Sequence, residues 1–70
     1  MIEHIKIIVN GKPREVEQGS TLARLVESLS LDQSAIVVEH NETVADKASF
    51  GSVVLHPEDK VEILQFVGGG

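Results

Sequence analysis

One stretch, GSTLARLVESLSLD, limits the choice of fold more than any other. Leu22, Leu25, Val26 and Leu29 recur at i, i+3, i+4 and i+7. A helix there carries a single apolar stripe, with Arg24, Glu27 and Ser28 off it. Gly19 breaks the preceding segment, and Ser20 or Thr21 is placed to cap the first turn. No glycine marks the far end, which is expected near Ser30 to Asp32. The remaining apolar runs are short and strand-like. One helix of about 10 residues covers only one face of a small sheet, so the chain has to build a two-layer α+β domain.

The strands read as follows. Ile5, Ile7 and Val9 alternate with His4, Lys6 and Ile8 at the period of a strand. Asn10-Gly11 is the strongest short hairpin signal, because both central residues of a type I′ turn need positive φ. Lys12 and Pro13 follow, which predicts a loop a residue or two longer, and a return strand through Val16 that is short at its start. Ile36 to Val38 is nearly continuous in apolarity and reads as a strand in the middle of the sheet. Asn41 turns the chain, and Val44 starts a short strand. Phe50 is expected to plug the core from an irregular stretch, while Val53 to Leu55 approach a strand. His56-Pro57-Glu58-Asp59 has Pro at the second position of an expected type I turn. KVEILQFV is the last strand. The expectation is a four- to five-stranded mixed sheet with the helix on one face. Leu22, Leu25, Val26 and Leu29 should pack there against Ile5, Ile7, Val9, Val61 and Ile63.

Composition then removes several functions. Seventy residues make one domain with a modest core. With no cysteine there is no disulfide, thiolate metal site or catalytic thiol, which fits a cytoplasmic protein. No apolar run approaches the roughly 20 residues of a membrane span, and MIEHIKIIVNGK lacks the pattern of a signal peptide. Six Lys and Arg against eleven Asp and Glu give a net charge of −5, which argues against nucleic acid and suits a basic protein surface. Phe50 and Phe66 are the only aromatics, too few to line a small-molecule pocket or stack bases. His4, His40 and His56 are too scattered for a metal site and are read as solvated. Glu58-Asp59 and Asp32 are read as surface carboxylates.

That leaves the end of the sequence, VEILQFVGGG. A strand runs directly into Gly68, Gly69 and Gly70, with no spacer. The division expected is a folded domain over 1–66 and a flexible tail over 67–70. Val67 and three glycines reach at most roughly 13–14 Å, enough to enter a neighbour's active site while the body stays outside. Glycine suits a narrow channel because it has no side chain. Terminal glycines are also common at frayed ends. What raises them here is their placement on a strand and the lack of any other reactive cluster. The group singled out is the Gly70 carboxylate, which becomes an acyl donor only when another enzyme activates it. Alternation also sets Ile8, Leu64 and Phe66 on the sheet face away from the helix, as a candidate apolar docking patch beside the tail.

Three blocks, VNGKPREVEQGSTLARLVESL, AIVVEHNETV and EDKVEILQFVGGG, carry a resemblance. The chain resembles the β-grasp carriers that include ubiquitin-like modifiers. Within them it is most similar to the ThiS family of sulfur carriers in thiamine biosynthesis. The resemblance implies a carrier and not an enzyme. A ThiF/MoeB-like enzyme would adenylate Gly70 with its own ATP, and this chain would bind no cofactor or metal. Sulfur relayed from a cysteine desulfurase would convert the adenylate to a thiocarboxylate for a ThiG-like thiazole synthase. Ile8, Leu64, Phe66 and Val67 would then belong to the docking surface. The small subunit of molybdopterin synthase and a ubiquitin-like protein modifier share this fold and tail chemistry and stand as alternatives. The chain departs from the family pattern at Ala45-Asp46, where a Val-Pro-Arg-like stretch is frequent, at Phe50, where Trp is frequent, and at Glu58, where Gly is usual.

Overall fold

The computed structural model describes residues 1–66. Strands β1 (His4–Val9) and β2 (Lys12–Glu17) form a hairpin, followed by helix α1 (Leu22–Ser28). A 3₁₀ turn (Gln33–Ala35) leads into β3 (Ile36–His40) and the two-residue β4 (Thr43–Val44). A longer 3₁₀ segment (Lys47–Ser52) precedes β5 (Lys60–Gln65). The five strands lie in the order β2-β1-β5-β3-β4. Only the β1–β5 pairing is parallel. The mixed sheet and single main helix expected from the sequence are both present. The centre of the sheet, however, is β5 and not β3, which is flanked on its outer side only by the short β4.

Local chemistry explains each boundary. Asn10 and Gly11 have φ of 50° and 81°, as a type I′ turn demands, and β2 starts directly at Lys12. The loop is therefore two residues long and not longer. Pro13 is tolerated inside β2 because β2 is an edge strand. In a two-residue hairpin the pair beyond the first, Ile8 with Pro13, exchanges no ladder bonds, so the missing N–H faces the open edge. Thr21 caps α1, its Oγ1 accepting from the Arg24 amide at 3.2 Å. The helix is shorter than expected because Ser30 adopts φ 58° and stops it. The Leu31 amide donates to the Val26 carbonyl and the Ser30 amide to that of Glu27, a Schellman closure with serine in the place glycine usually takes.

The core consists of Leu22, Leu25 and Val26 from α1 against Ile7, Ile36, Val38, Val61 and Ile63 from the sheet, with Phe50 and Leu55 from the segment between β4 and β5. Phe50 plugs the core from a 3₁₀ segment, as expected. Leu29, Ile5 and Val9 are only partly buried. A seven-residue helix is about 10 Å long, against about 20 Å for the six residues of β1. The Pro57 turn is type II and not type I: Glu58 has φ +70°, and the Asp59 amide donates to the His56 carbonyl at 3.1 Å. Glycine is the residue such a position favours, so glutamate there carries a local backbone cost.

Candidate functional site

The sequence points to the C-terminal end of β5, the central strand of the sheet, whose last residues are paired along β3. β5 pairs with β3 from Ile36–Gln65 through His40–Val61. The Phe66 amide then donates to the Ala35 carbonyl at 2.8 Å, so main-chain pairing continues to the last described residue. On its other side β5 meets β1 for only two pairs, Ile8–Lys60 and Val9–Val61. Asn10 extends that seam with its side chain, Nδ2 donating to the Ile63 carbonyl (3.3 Å) and Oδ1 accepting from the Ile63 amide (2.7 Å). Val67, Gly68, Gly69 and Gly70 lie outside the described residues.

The face of the sheet away from α1 holds Leu64 and Phe66, 58% and 57% exposed. Ile8 shares this face but not this patch. Its register partner on β5 is Lys60, four residues before Leu64, which is about 13 Å along the strand. Glu62 stands between them, and Ile8 is half-buried between its two register partners, Pro13 and Lys60. The neighbour directly opposite Leu64 is Val37. Period-two reading assigned the face correctly but could not supply the stagger between β1 and β5, so it joined Ile8 to residues it does not touch and missed Val37.

A second feature lies at the opposite end of β5. Asp59, read from the sequence as a solvated carboxylate, is 9% exposed. Its Oδ2 accepts from His40 Nε2 at 2.7 Å and from the His56 amide at 2.9 Å, and its Oδ1 accepts from Asn41 Nδ2 at 3.2 Å. A carboxylate only accepts, so Nε2 of His40 carries the proton. His40 is therefore a half-buried partner of Asp59 and not a free surface histidine. Burial works against the Asp59 charge, but the bonds from His40, His56 and Asn41 outweigh it and hold the carboxyl below its ordinary value. Asn41 also clasps β5, its Oδ1 accepting from the Lys60 amide at 2.9 Å. The cluster is structural: it fixes the start of β5. The sequence signal was Asn41 and Asp59 beside strand ends, which only the β3–β5 register brings together. Asp32 is exposed, as expected, and caps the 3₁₀ turn through the Ser34 amide.

Among the described residues no group of three or more His, Cys, Asp or Glu is arranged to hold a metal ion, and no helix is long and apolar enough to cross a membrane. The surface hollows are open grooves, one between β2 and α1 lined by Arg14, Val16 and Arg24. Nothing in the described region sets up a nucleophile with a base.

A mixed sheet whose first and last strands run parallel side by side, crossed on one face by a single helix, defines a β-grasp protein. The crystal structure of a thiamine biosynthesis protein (ThiS) from Geobacter metallireducens superimposes with a TM-score of 0.80 at 32% identity, over 94% of this chain and all of that one. A sequence model of the ThiS family matches residues 7–70, and the chain belongs to that family. It is 33% identical to the sulfur carrier protein ThiS of Bacillus subtilis, over 89% of this chain and 96% of that protein. It is also 38% identical over 66 residues to a thiazole synthase of Magnetococcus marinus. There, and in a thiazole synthase of Paramagnetospirillum magneticum, the chain spans only 20% of the relative's length.

Proposed function

We propose that this protein is a sulfur carrier for thiazole formation in thiamine biosynthesis, and that Gly70 is its reacting residue. A carboxylate oxygen of Gly70 attacks the α-phosphorus of an ATP held by a ThiF/MoeB-like adenylating enzyme. The P–O bond to the β-phosphate breaks and pyrophosphate leaves. Persulfide sulfur relayed from a cysteine desulfurase then displaces AMP to give an acyl disulfide, and a second thiol attacks its outer sulfur, releasing the thiocarboxylate and ending in a disulfide itself. A thiazole synthase takes up that sulfur. The chain is a co-substrate throughout and holds no cofactor of its own; the ATP belongs to the partner. Leu64, Phe66 and Val67 contribute to docking, with Gly68 and Gly69 letting Gly70 arrive.

One observation carries the reading above the rest. The strand that leads to the glycines is the central strand of the sheet, held by main-chain bonds as far as Phe66. The four residues beyond it have a fixed origin and a short reach, which is what positioning a carboxylate in line with a phosphate requires. Membership of the ThiS family agrees, and so does the presence of a similar stretch within longer proteins called thiazole synthases.

The test is pyrophosphate exchange with the adenylating enzyme. A Cβ at position 69 would meet the walls of a channel narrow enough to hold the tail extended. Deleting Gly70 draws the end back by about 3.3–3.6 Å, where a misplacement near 1 Å costs roughly 100-fold in rate. Gly69→Val and the Gly70 deletion should both keep the wild-type melting curve and lose exchange. With the sulfur source present, wild-type chain should gain about 16 Da in intact mass, one oxygen replaced by sulfur at an activated acyl group. Full exchange by the deletion variant would remove Gly70 from the chemistry.

A further inference from the structure

The outer sheet face carries a second arrangement beside the apolar one. Glu39 on β3 and Glu62 on β5 are direct register partners and point to the same face. Residues so placed have Cβ atoms about 4.5–5.5 Å apart, and like charges there destabilise the sheet. The ion pairs among the described residues are Lys6–Glu58 and His40–Asp59, so neither glutamate makes a contact ion pair, and the nearest cation on this face along β5 is Lys60, two residues before Glu62. The next register pair along the strands is Val37 with Leu64, and Phe66 follows on the same face. A repulsive carboxylate pair thus abuts an exposed apolar strip, on the strand that leads to the glycines. The carboxylate pair costs the sheet stability, and Leu64 and Phe66 leave more than half of their surface open to solvent.

We propose that Val37, Leu64 and Phe66 dock an apolar surface of the adenylating enzyme, and that this surface carries an arginine or lysine side chain which seats between Glu39 and Glu62. This rests on the functional reading above and adds the chemistry of the partner. Charge complementarity selects the occupant. A cation between the two carboxylates turns their mutual repulsion into two attractive contacts, while an acidic or purely apolar surface leaves the repulsion in place and desolvates it. The pair also sets the register of docking, because the cation has one seat and the apolar strip lies to one side of it.

The proposal makes stability and affinity move in opposite directions. Glu39→Gln and Glu62→Gln should each raise the melting temperature by a few degrees, since each removes the like-charge pair. Each should weaken binding to the adenylating enzyme, measured by calorimetry, and the double variant should lose about tenfold or more. Raising salt from 50 to 200 mM should weaken the wild-type complex more than the complex of the double variant. A purely structural role would change melting and leave affinity alone. Unchanged or tighter binding by the double variant would overturn the proposal. Pyrophosphate exchange by the wild-type chain is run alongside. Its absence overturns the functional reading and this proposal with it, whereas normal exchange with unaltered variant affinity overturns this proposal alone.

Discussion

Asp59 shows what a single residue does in so small a domain. Its carboxylate ends three donors that would otherwise be left partly buried: the ring of His40, the amide of His56 and the side chain of Asn41. Its folded pKa is depressed, so its contribution is present above the unfolded value near about 3.9 and is lost as pH falls through the folded value. Asp59→Asn replaces an acceptor by a group that presents donors to donors. It should cost about 1–3 kcal/mol at pH 7. Urea unfolding at a series of pH values should show the gap between wild type and variant closing below about pH 4. A gap that stays constant down to pH 3 would mean that the charge is not its source. Glu58, one residue earlier, shows the opposite case. It sits at φ +70°, a conformation that favours glycine, and its exposed ion pair with Lys6 at 3.4 Å offsets little of that cost.

At the scale of elements, α1 is too short to be stable alone. A seven-residue helix lies well below the length at which isolated helices persist in water. It exists because Leu22, Leu25 and Val26 are sealed against the sheet and against Phe50 and Leu55. Leu25→Ala should therefore cost about 2–5 kcal/mol, a large share of the stability expected of such a domain. Urea midpoints at constant slope would measure it, and a loss below about 1 kcal/mol would place Leu25 outside the core. The stripe was legible in the sequence because helical period depends only on residue order. The end of the helix was not, because Ser30 took a conformation that glycine usually signals.

At the scale of the molecule, Asn10 joins the first turn to the last strand. It holds φ 50° in the hairpin and closes both polar groups of Ile63 across 53 residues. Two substitutions separate these roles. Asn10→Gly keeps the left-handed turn and loses only the clasp, which should cost about 1–3 kcal/mol for two bonds. Asn10→Ala adds a left-handed backbone cost of roughly 1–2 kcal/mol. If both variants unfolded at the wild-type urea concentration, β1 and β5 would not depend on this clasp. The pairing it extends has two register pairs, flanked by main-chain bonds from the Ile8 amide to the Asp59 carbonyl, from the Asn10 amide to the Val61 carbonyl and from the Glu58 amide to the Lys6 carbonyl.

The sequence by itself determined the properties that are local in chain order. The period of two in β1, the Asn10-Gly11 turn, the stripe of α1 and the family blocks ending in VGGG all depend on neighbours within a few residues. They were enough to establish the fold class and to single out Gly70. Only the tertiary structure decided what depends on how distant segments align. That includes β5 at the centre of the sheet, Val37 and not Ile8 beside Leu64, Glu39 facing Glu62, and Asp59 closed over by His40 and Asn41. Alternation tells which face a residue takes, but the offset between two strands is set by core packing and by side chains such as Asn10 and Asn41 that grip a strand many residues away.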